Sequence, residues 1–118
     1  MAYIDGYVLP VPEANRQAYT DLALRVADKF LKYGATRVVE GWGKDVPRGE
    51  TTDFYRATLA TEGEAVVFSW VVWPDKAVRD AGWGSLMADP DMQDNATLFD
   101  GKRMFWGGFE PIVDRGEG

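Results

Sequence analysis

The feature that most constrains this chain is the apolar run AVVFSWVVW at residues 65–73. Successive side chains of a β-strand point to opposite faces of the sheet, and here β-branched or aromatic residues fill almost every position of both parities. A strand with one solvated face would carry polar residues at one parity. We therefore expect a central strand that is buried on both faces.

Strands and helices alternate around this run. Residues 3–9 are typical of a first strand, which we expect to end at Pro10 and Pro12 because proline cannot donate to a neighbouring strand. Residues 13–33 carry apolar side chains at steps of three and four, which predicts an amphipathic helix. Gly34 follows at the position after a helix end where glycine is favoured.

The remaining elements complete a ferredoxin-like order. We expect a second strand at 35–44, a polar loop at 45–53 and a short strand at 54–60. A second helix should begin at the N-cap Asp75 and end at Asp89-Pro90, with Val78, Ala81, Ser85 and Leu86 buried. A helical turn to about Asn95 and the Asp100-Gly101 turn should then lead to a last strand at 102–113. The order β-α-β-(β)-β-α-β predicts an α+β fold, the βαββαβ plait with an antiparallel sheet. One domain is expected over residues 1–114, followed by a loose tail at 115–118.

The composition excludes several classes of function. The 118 residues include no Cys and no His, so disulfides, thiol or imidazole nucleophiles, structural zinc and histidine-ligated haem are excluded. A formal charge of −6 provides no basic surface, and we predict no nucleic-acid partner. The glycine triplets form no dinucleotide or phosphate fingerprint, and the acidic residues at 89–100 lack the glycine and final glutamate of a calcium loop. We therefore expect no cofactor and no metal, although the composition leaves a Mg²⁺ site built from carboxylates alone open.

Neither an export signal nor a membrane-spanning run is present in the sequence. We therefore expect a cytoplasmic protein without a membrane partner.

The second face of the predicted sheet also lacks polar residues. A plait places both helices on one face, so something else must cover the other face. Along residues 3–9, as in the run at 65–73, apolar side chains occupy both parities. The simplest cover is the sheet of a second copy, which predicts a two-fold homodimer. Alternatively, the 45–53 loop and the 54–60 segment fold back over this face.

Eight short motifs are distributed along the chain: DGYVLPVP (5–12), GATRVVEGW (34–42), KDVP (44–47), VFSW (67–70), WP (73–74), MADPDM (87–92), FDGKRM (99–104) and GGFE (107–110). In these motifs the chain resembles the bacterial YbaA-like family, from about residue 2 to residue 114 and without large gaps. The resemblance implies the dimeric α+β barrel. That superfamily includes cofactor-independent oxygenases, muconolactone isomerases, haem-dependent enzymes and ligand-binding regulatory domains, and a shared fold does not choose among them.

Charged residues inside apolar strands are the candidates for chemistry. Asp5 and Glu40 each interrupt such a strand, where a carboxylate without a partner is costly to bury. If there is an active site, we expect both to act in it as catalytic acid or base, with raised pKa values in an aromatic pocket. Alternatively each is paired with Arg37 or Arg103 and only fixes the strand register or the dimer interface. The predicted ligand-binding residues, in a pocket between the sheet and its dimer mate, are Tyr7, Trp42, Trp70, Arg103 and Trp106.

Two function classes remain open from the sequence. The first is a non-catalytic homodimer that binds a small organic or aromatic molecule. The second is a cofactor-independent enzyme, similar to a monooxygenase or an isomerase, that uses buried carboxylates as acid and base. The loop from residue 44 to 53 can be interpreted as a lid over such a pocket or as an ordinary hairpin extension.

Overall fold

The computed structural model describes residues 1–92 and 98–117, in which an antiparallel sheet carries two long helices on one face. The elements in chain order are β1 (Tyr3–Pro12), α1 (Arg16–Lys32), β2 (Arg37–Trp42), α2 (Phe54–Thr58), β3 (Glu64–Trp73), α3 (Lys76–Ala88) and β4 (Phe105–Phe109), with single 3-10 turns at Glu13–Asn15, Pro90–Met92 and Gly101–Arg103. The strand order is β2-β3-β1-β4. This is the order of a ferredoxin-like plait, so the predicted α+β class is confirmed.

The C-terminal end of α1 and the N-terminal end of α3 lie where their capping residues predict. Helix α1 stops before Gly34, whose φ of +116° lies in the left-handed region that glycine adopts at low cost. The N–H of Ala35 then donates to the carbonyl of Phe30 at 3.0 Å and closes the helix end. At the start of α3 the Asp75 carboxylate accepts a hydrogen bond from the backbone N–H of Val78 at 2.8 Å, as expected of an N-cap.

The buried stripe of α3 differs from the prediction. Ala81 and Ser85 are exposed, whereas Gly82 and Leu86 are the buried positions. The ring of Trp73 on β3 explains the shift, because a Cβ at position 82 would lie 2.5 Å from its Cζ3 atom. The helix therefore turns its glycine toward the sheet so that it can pack closely against the indole.

Strand β1 continues through Pro10 and Pro12, so the expectation that they end it is wrong. Strand β4 pairs only with residues 4–8 of β1, and from residue 9 onward β1 has a neighbour on one side alone. A missing N–H removes no ladder hydrogen bond where it faces that open side. Strand β4 itself is shorter than the predicted 102–113 and spans Phe105–Phe109. The predicted turn to about Asn95 lies partly outside the described residues.

The 54–60 segment forms helix α2 and not the predicted short strand. The Asp53 carboxylate accepts hydrogen bonds from the N–H groups of Arg56 at 2.8 Å and Gly49 at 3.1 Å, and this N-cap starts the helix. The 44–53 loop and α2 together form the connection between the antiparallel strands β2 and β3. Phe54 packs edge-on against Phe68 of β3, at 6.0 Å between ring centroids, so part of the segment folds back over the sheet.

The two faces of the sheet differ in what covers them. The face under α1 and α3, here called the helix face, carries the buried core, which includes Leu9, Val11, Val67, Val71 and Trp73. The other face, here called the open face, is formed by Ile4, Gly6, Val8, Phe68, Trp70, Phe105, Gly107 and Phe109. On it Phe68, Phe105 and Phe109 are 47%, 44% and 60% exposed. The expected burial of both faces of β3 is therefore wrong for the single chain.

No helix in the described part of the chain is both long and apolar enough to span a lipid bilayer.

Candidate functional site

Three side chains form one row across the helix face of the sheet. In the strand register, Tyr7 on β1 lies opposite Ser69 on β3, and Ser69 lies opposite Glu40 on β2. Directly paired residues project to the same face, so all three side chains point toward α1. Tyr19 of α1 reaches this row from the helix side and also contacts Glu40. We call these four residues the Glu40 cluster.

The Glu40 carboxylate is held by hydroxyl groups. Its Oε1 atom accepts hydrogen bonds from the hydroxyls of Tyr19 and Ser69, each at 2.7 Å, and its Oε2 atom accepts one from Tyr7 at 2.6 Å. An ionised carboxylate offers about four lone-pair sites, so one acceptor site on Oε2 is left open by the residues that the structure describes. Within residues 1–92 and 98–117, Glu40 takes part in no salt bridge.

The two tyrosines of the Glu40 cluster are fixed as hydrogen-bond donors. Burial, reinforced by the nearby Glu40 charge, raises the pKa of both the Tyr7 and the Tyr19 hydroxyl far above its ordinary value. Both phenols therefore keep their protons at physiological pH and direct them at Glu40. The cluster is a carboxylate stabilised by neutral donors beneath a helix.

A groove of about 260 Å³ opens beside Glu40, between α1 and the edge strand β2. Its helix wall includes Tyr19, Ala23 and Ala27, and its sheet wall includes Val38, Glu40 and Trp42. At the Trp42 wall the guanidinium of the exposed Arg16 lies 5.3 Å from the indole centroid. The groove thus combines apolar and aromatic walls with one carboxylate, which is the usual composition of a small-molecule site.

Asp5 belongs to a separate, closed cluster. It is 1% exposed, and Arg79 of α3 donates to both of its oxygens, through Nη2 at 2.6 Å and Nε at 3.0 Å. The indole N–H groups of Trp73 and Trp83 donate to Oδ2 at 2.9 Å and 2.8 Å. Gly108 on β4 leaves room for this arrangement, because a Cβ there would lie 2.9 Å from Arg79 Nη2. The bonds from Arg79 and Trp83 join α3 to the sheet, and the bond from Trp73 joins β3 to β1.

This saturation favours the structural interpretation of Asp5. Every strong donor around the carboxylate is already engaged, and no groove reaches it among those described beside Glu40 and on the open face. The structural alternative of an arginine-paired carboxylate is therefore the one observed for Asp5. Its partner is Arg79, and neither Arg37 nor Arg103 takes that place.

The other predicted site residues are dispersed. Trp42 and Tyr7 lie with Glu40 on the helix face, but Trp70 projects from the open face, where it contacts Phe68 at 5.7 Å between ring centroids. Placing Trp70 in one pocket with Glu40 is therefore wrong. The error has a simple cause, since alternation shows which residues of one strand share a face but not which face the helices cover.

Arg103 and Trp106 are also engaged elsewhere. The Arg103 guanidinium makes two 2.7 Å hydrogen bonds to Glu64 and one of 3.0 Å to Asp100, which tie the start of β3 to the turn before β4. Trp106 stacks on Trp83 with 5.8 Å between ring centroids and an interplanar angle of 25°. Neither residue contributes a wall of the groove beside Glu40.

The open face carries a second, wider depression of about 540 Å³. Its walls are almost wholly apolar and include Val8, Phe68, Trp70, Phe105 and Phe109, with Pro111 at one end. No charged side chain is among its lining residues, and its polar groups are those of Tyr7, Trp70 and Trp106. It has the character of a surface that packs against another apolar surface.

The acidic residues at the end of α3 are used in hydrogen bonds within the chain. Asp89 accepts from the Tyr33 hydroxyl at 2.6 Å and pairs with Lys29 at 3.0 Å. In the described part of the chain, no group of three or more acidic residues is arranged to hold a metal ion. The middle of the acidic 89–100 stretch lies outside the described residues.

Sequence reasoning missed the residues that complete both carboxylate clusters. Tyr19 falls among the apolar positions of the helix predicted at 13–33, and Arg79 lies outside the predicted buried stripe of the second helix. Ser69 offered a usable signal, because it is the one polar residue in the middle of the apolar run at 65–73. A buried hydroxyl at such a position needs a polar neighbour on an adjacent strand.

The sequence and the fold of this chain are similar to those of known proteins. Residues 2–101 match the family described as a protein of unknown function, DUF1428. The chain is 48% identical over 116 residues to the uncharacterized protein YbaA of Escherichia coli strain K12 and equally to YbaA of Shigella flexneri, with 97% of this chain and 99% of each relative covered. Among solved structures, SnoaB, a cofactor-independent oxygenase from Streptomyces nogalater, superposes with a TM-score of 0.61 and 16% identity over 98% of both chains. SnoaB thus shares the fold, and the sequence matches show that this chain belongs to the DUF1428 family of YbaA-like proteins.

Proposed function

We propose that this protein is a homodimer that binds a small organic molecule in the groove between α1 and β2 of each protomer. The observation that carries this proposal is Glu40, a carboxylate with one open acceptor site at the wall of an apolar groove. A carboxylate that only stabilised the fold would be expected to be saturated by its neighbours, as Asp5 is. The proposed ligand therefore lies under α1, on the opposite side of the sheet from the pocket expected at the dimer mate.

The size and lining of the groove favour a compact ligand. Its volume of about 260 Å³ lies below the roughly 300–1,000 Å³ of sites for drug-sized molecules, so one ring with a short polar arm fits best. Trp42 and Tyr19, whose ring centroids are 6.4 Å apart, provide the aromatic walls for such a ring. The Glu40 cluster provides the polar contact that orients it.

The groove can be tested by filling it. Ala27 lies on the α1 wall, so Ala27→Leu adds a bulky side chain to the groove without a polar change. The exposed Ala77 on α3 serves as the matched control in Ala77→Leu. We expect ligand-observed NMR with a panel of one-ring alcohols, amines and acids to show binding to the native chain and Ala77→Leu, and loss of binding in Ala27→Leu. Equal binding by both variants would remove the groove from the proposal.

The open face supports the homodimer. Helix α2 covers only one end of it through Phe54, and three phenylalanines remain between 44% and 60% exposed. A contiguous aromatic surface of this kind is unfavourable in water unless a partner covers it. A second copy of the same sheet brings an equally apolar surface, related by a two-fold axis.

Light scattering coupled to size exclusion tests the dimer. Phe68 lies on the open face and is 47% exposed, whereas Met87 on α3 is 74% exposed outside that face. We expect the native chain and Met87→Glu to elute with the mass of a dimer and Phe68→Glu with that of a monomer. A native chain that is monomeric at micromolar concentration would contradict this part of the proposal.

A second candidate function is proton abstraction from the bound molecule. It is favoured by the same open site on Glu40 Oε2, which is placed to accept a proton from a group in the groove. The fold shared with SnoaB is compatible with cofactor-independent chemistry but does not by itself assign it. Deuterium incorporation at carbon in a bound compound in D₂O, lost in Glu40→Gln, would support catalysis, whereas binding without exchange would favour the first candidate.

A further inference from the structure

The hydroxyl groups beside Glu40 and the groove already use their protons in hydrogen bonds within the chain. Tyr7, Tyr19 and Ser69 all donate to Glu40, and the hydroxyl of Thr20 donates to the backbone carbonyl of Arg16 at 2.8 Å. What these groups still offer are lone pairs. A ligand that forms a hydrogen bond with the Glu40 carboxylate must therefore bring the donor itself.

The charge at this wall is also one-sided. Glu40 takes part in no salt bridge within the described residues, and all three of its partners are neutral hydroxyls. A cation does lie at the Trp42 wall of the groove: the guanidinium of the exposed Arg16 is 5.3 Å from the centroid of the indole ring. An anionic group placed at the open site of Glu40 would be repelled by a carboxylate that has no salt-bridge partner among the described residues.

Resting on the proposed function, we infer that the ligand of this groove is a protonated amine attached to a single aromatic or apolar ring. Its ammonium group donates to the open site of Glu40 Oε2 and supplies the missing positive charge, as in a charge-assisted hydrogen bond. The walls formed by Tyr19 and Trp42 favour the same group, because aromatic faces attract cations. Carboxylates and phosphates are disfavoured at this wall.

Three probes of one shape and different charge test this inference. Benzylamine is protonated at neutral pH, benzyl alcohol is a neutral donor, and benzoate is an anion that lacks a donor. We expect titration calorimetry to show benzylamine binding at least about tenfold more tightly than benzyl alcohol, since a hydrogen bond to a charged group is worth more than a neutral one. Benzoate should bind more weakly than either.

Variants assign this preference to specific residues. Glu40→Gln should reduce the preference for benzylamine over benzyl alcohol to about one, while the fold persists because the three hydroxyls can rotate and accept from the amide. Glu62→Gln removes an exposed carboxylate outside the groove and should leave the preference unchanged. Arg16→Gln should tighten benzylamine by about threefold, as removal of a partly screened like charge does.

The possible results separate the class of ligand from the existence of the site. If benzyl alcohol or benzoate binds as tightly as benzylamine, and Ala27→Leu abolishes that binding, the groove is a ligand site but the inference of an amine is wrong. If benzoate is the preferred probe and Arg16→Gln weakens its binding, the groove selects anions and the inference of an amine is overturned. If none of the three probes binds to the folded native protein, both the amine and the proposed function fail.

Discussion

Replacement of Asp5 by Asn tests the role that the structure gives to the most deeply buried carboxylate on β1. Asn has the same shape but only one acceptor oxygen, whereas the two Asp5 oxygens accept from Arg79, Trp73 and Trp83. Whichever way the amide turns, its NH₂ group faces either the two indole N–H groups or the guanidinium. The variant therefore places a donor against donors in a site that is 1% exposed.

The size of the effect follows from the burial of both partners. Removing one member of a buried ion pair costs about 3–5 kcal/mol. The Arg79 side chain is 16% exposed and can recover some hydration, which places the expected loss near the lower end, about 3 kcal/mol of unfolding free energy. For a chain of this length, that corresponds to a fall in Tm of about 12 °C.

Urea denaturation followed by tryptophan fluorescence measures this loss, because Trp73 and Trp83 both contact Asp5. The matched control is Asp80→Asn, since Asp80 also contacts Arg79, at 3.0 Å, but is 47% exposed. That change should cost no more than about 0.5 kcal/mol. Both variants should be compared at one protein concentration, because a dimer adds a concentration-dependent contribution to stability. If Asp5→Asn unfolds at the same urea concentration as Asp80→Asn, the assigned anchoring of α3 through Asp5 is wrong.

Three further effects follow from the packing and the charges. Gly82→Ala should lower the unfolding free energy by about 1–3 kcal/mol in urea denaturation, because its Cβ would lie 2.5 Å from Trp73 Cζ3. Gly84→Ala in the same helix should raise it by about 0.5–1 kcal/mol, since no atom lies within 4 Å of the new Cβ. Hydrogen bonding by Tyr33 lowers the pKa of Asp89 to about 2, and hydrogen bonding by Arg103 lowers that of Glu64 to about 2. These two carboxylates therefore stabilise the fold fully above about pH 5 and lose that contribution as the pH falls toward 2, which acid titration of the urea midpoint checks.

Local patterns in the sequence were sufficient for the elements whose ends depend on one residue. Gly34 after α1 and Asp75 before α3 were predicted and observed, because each acts on backbone groups of its own helix end. The 54–60 segment was predicted wrongly as a strand. There the N-cap Asp53 outweighs the aromatic and β-branched composition, and the packing of Phe54 on Phe68 depends on residues far apart in the chain.

In the candidate site, too, some features follow from local sequence and others from tertiary packing. The sequence by itself determined that Glu40 is a carboxylate within an apolar strand and that it shares a face with Trp42, because alternation along one strand is a local property. Only the tertiary structure decided that this face lies under α1 and that Ser69 stands between Glu40 and Tyr7. It likewise paired Asp5 with Arg79, which is 74 positions away. Strand register and helix docking depend on the packing of the whole core, so no local pattern specifies which donors meet a given carboxylate.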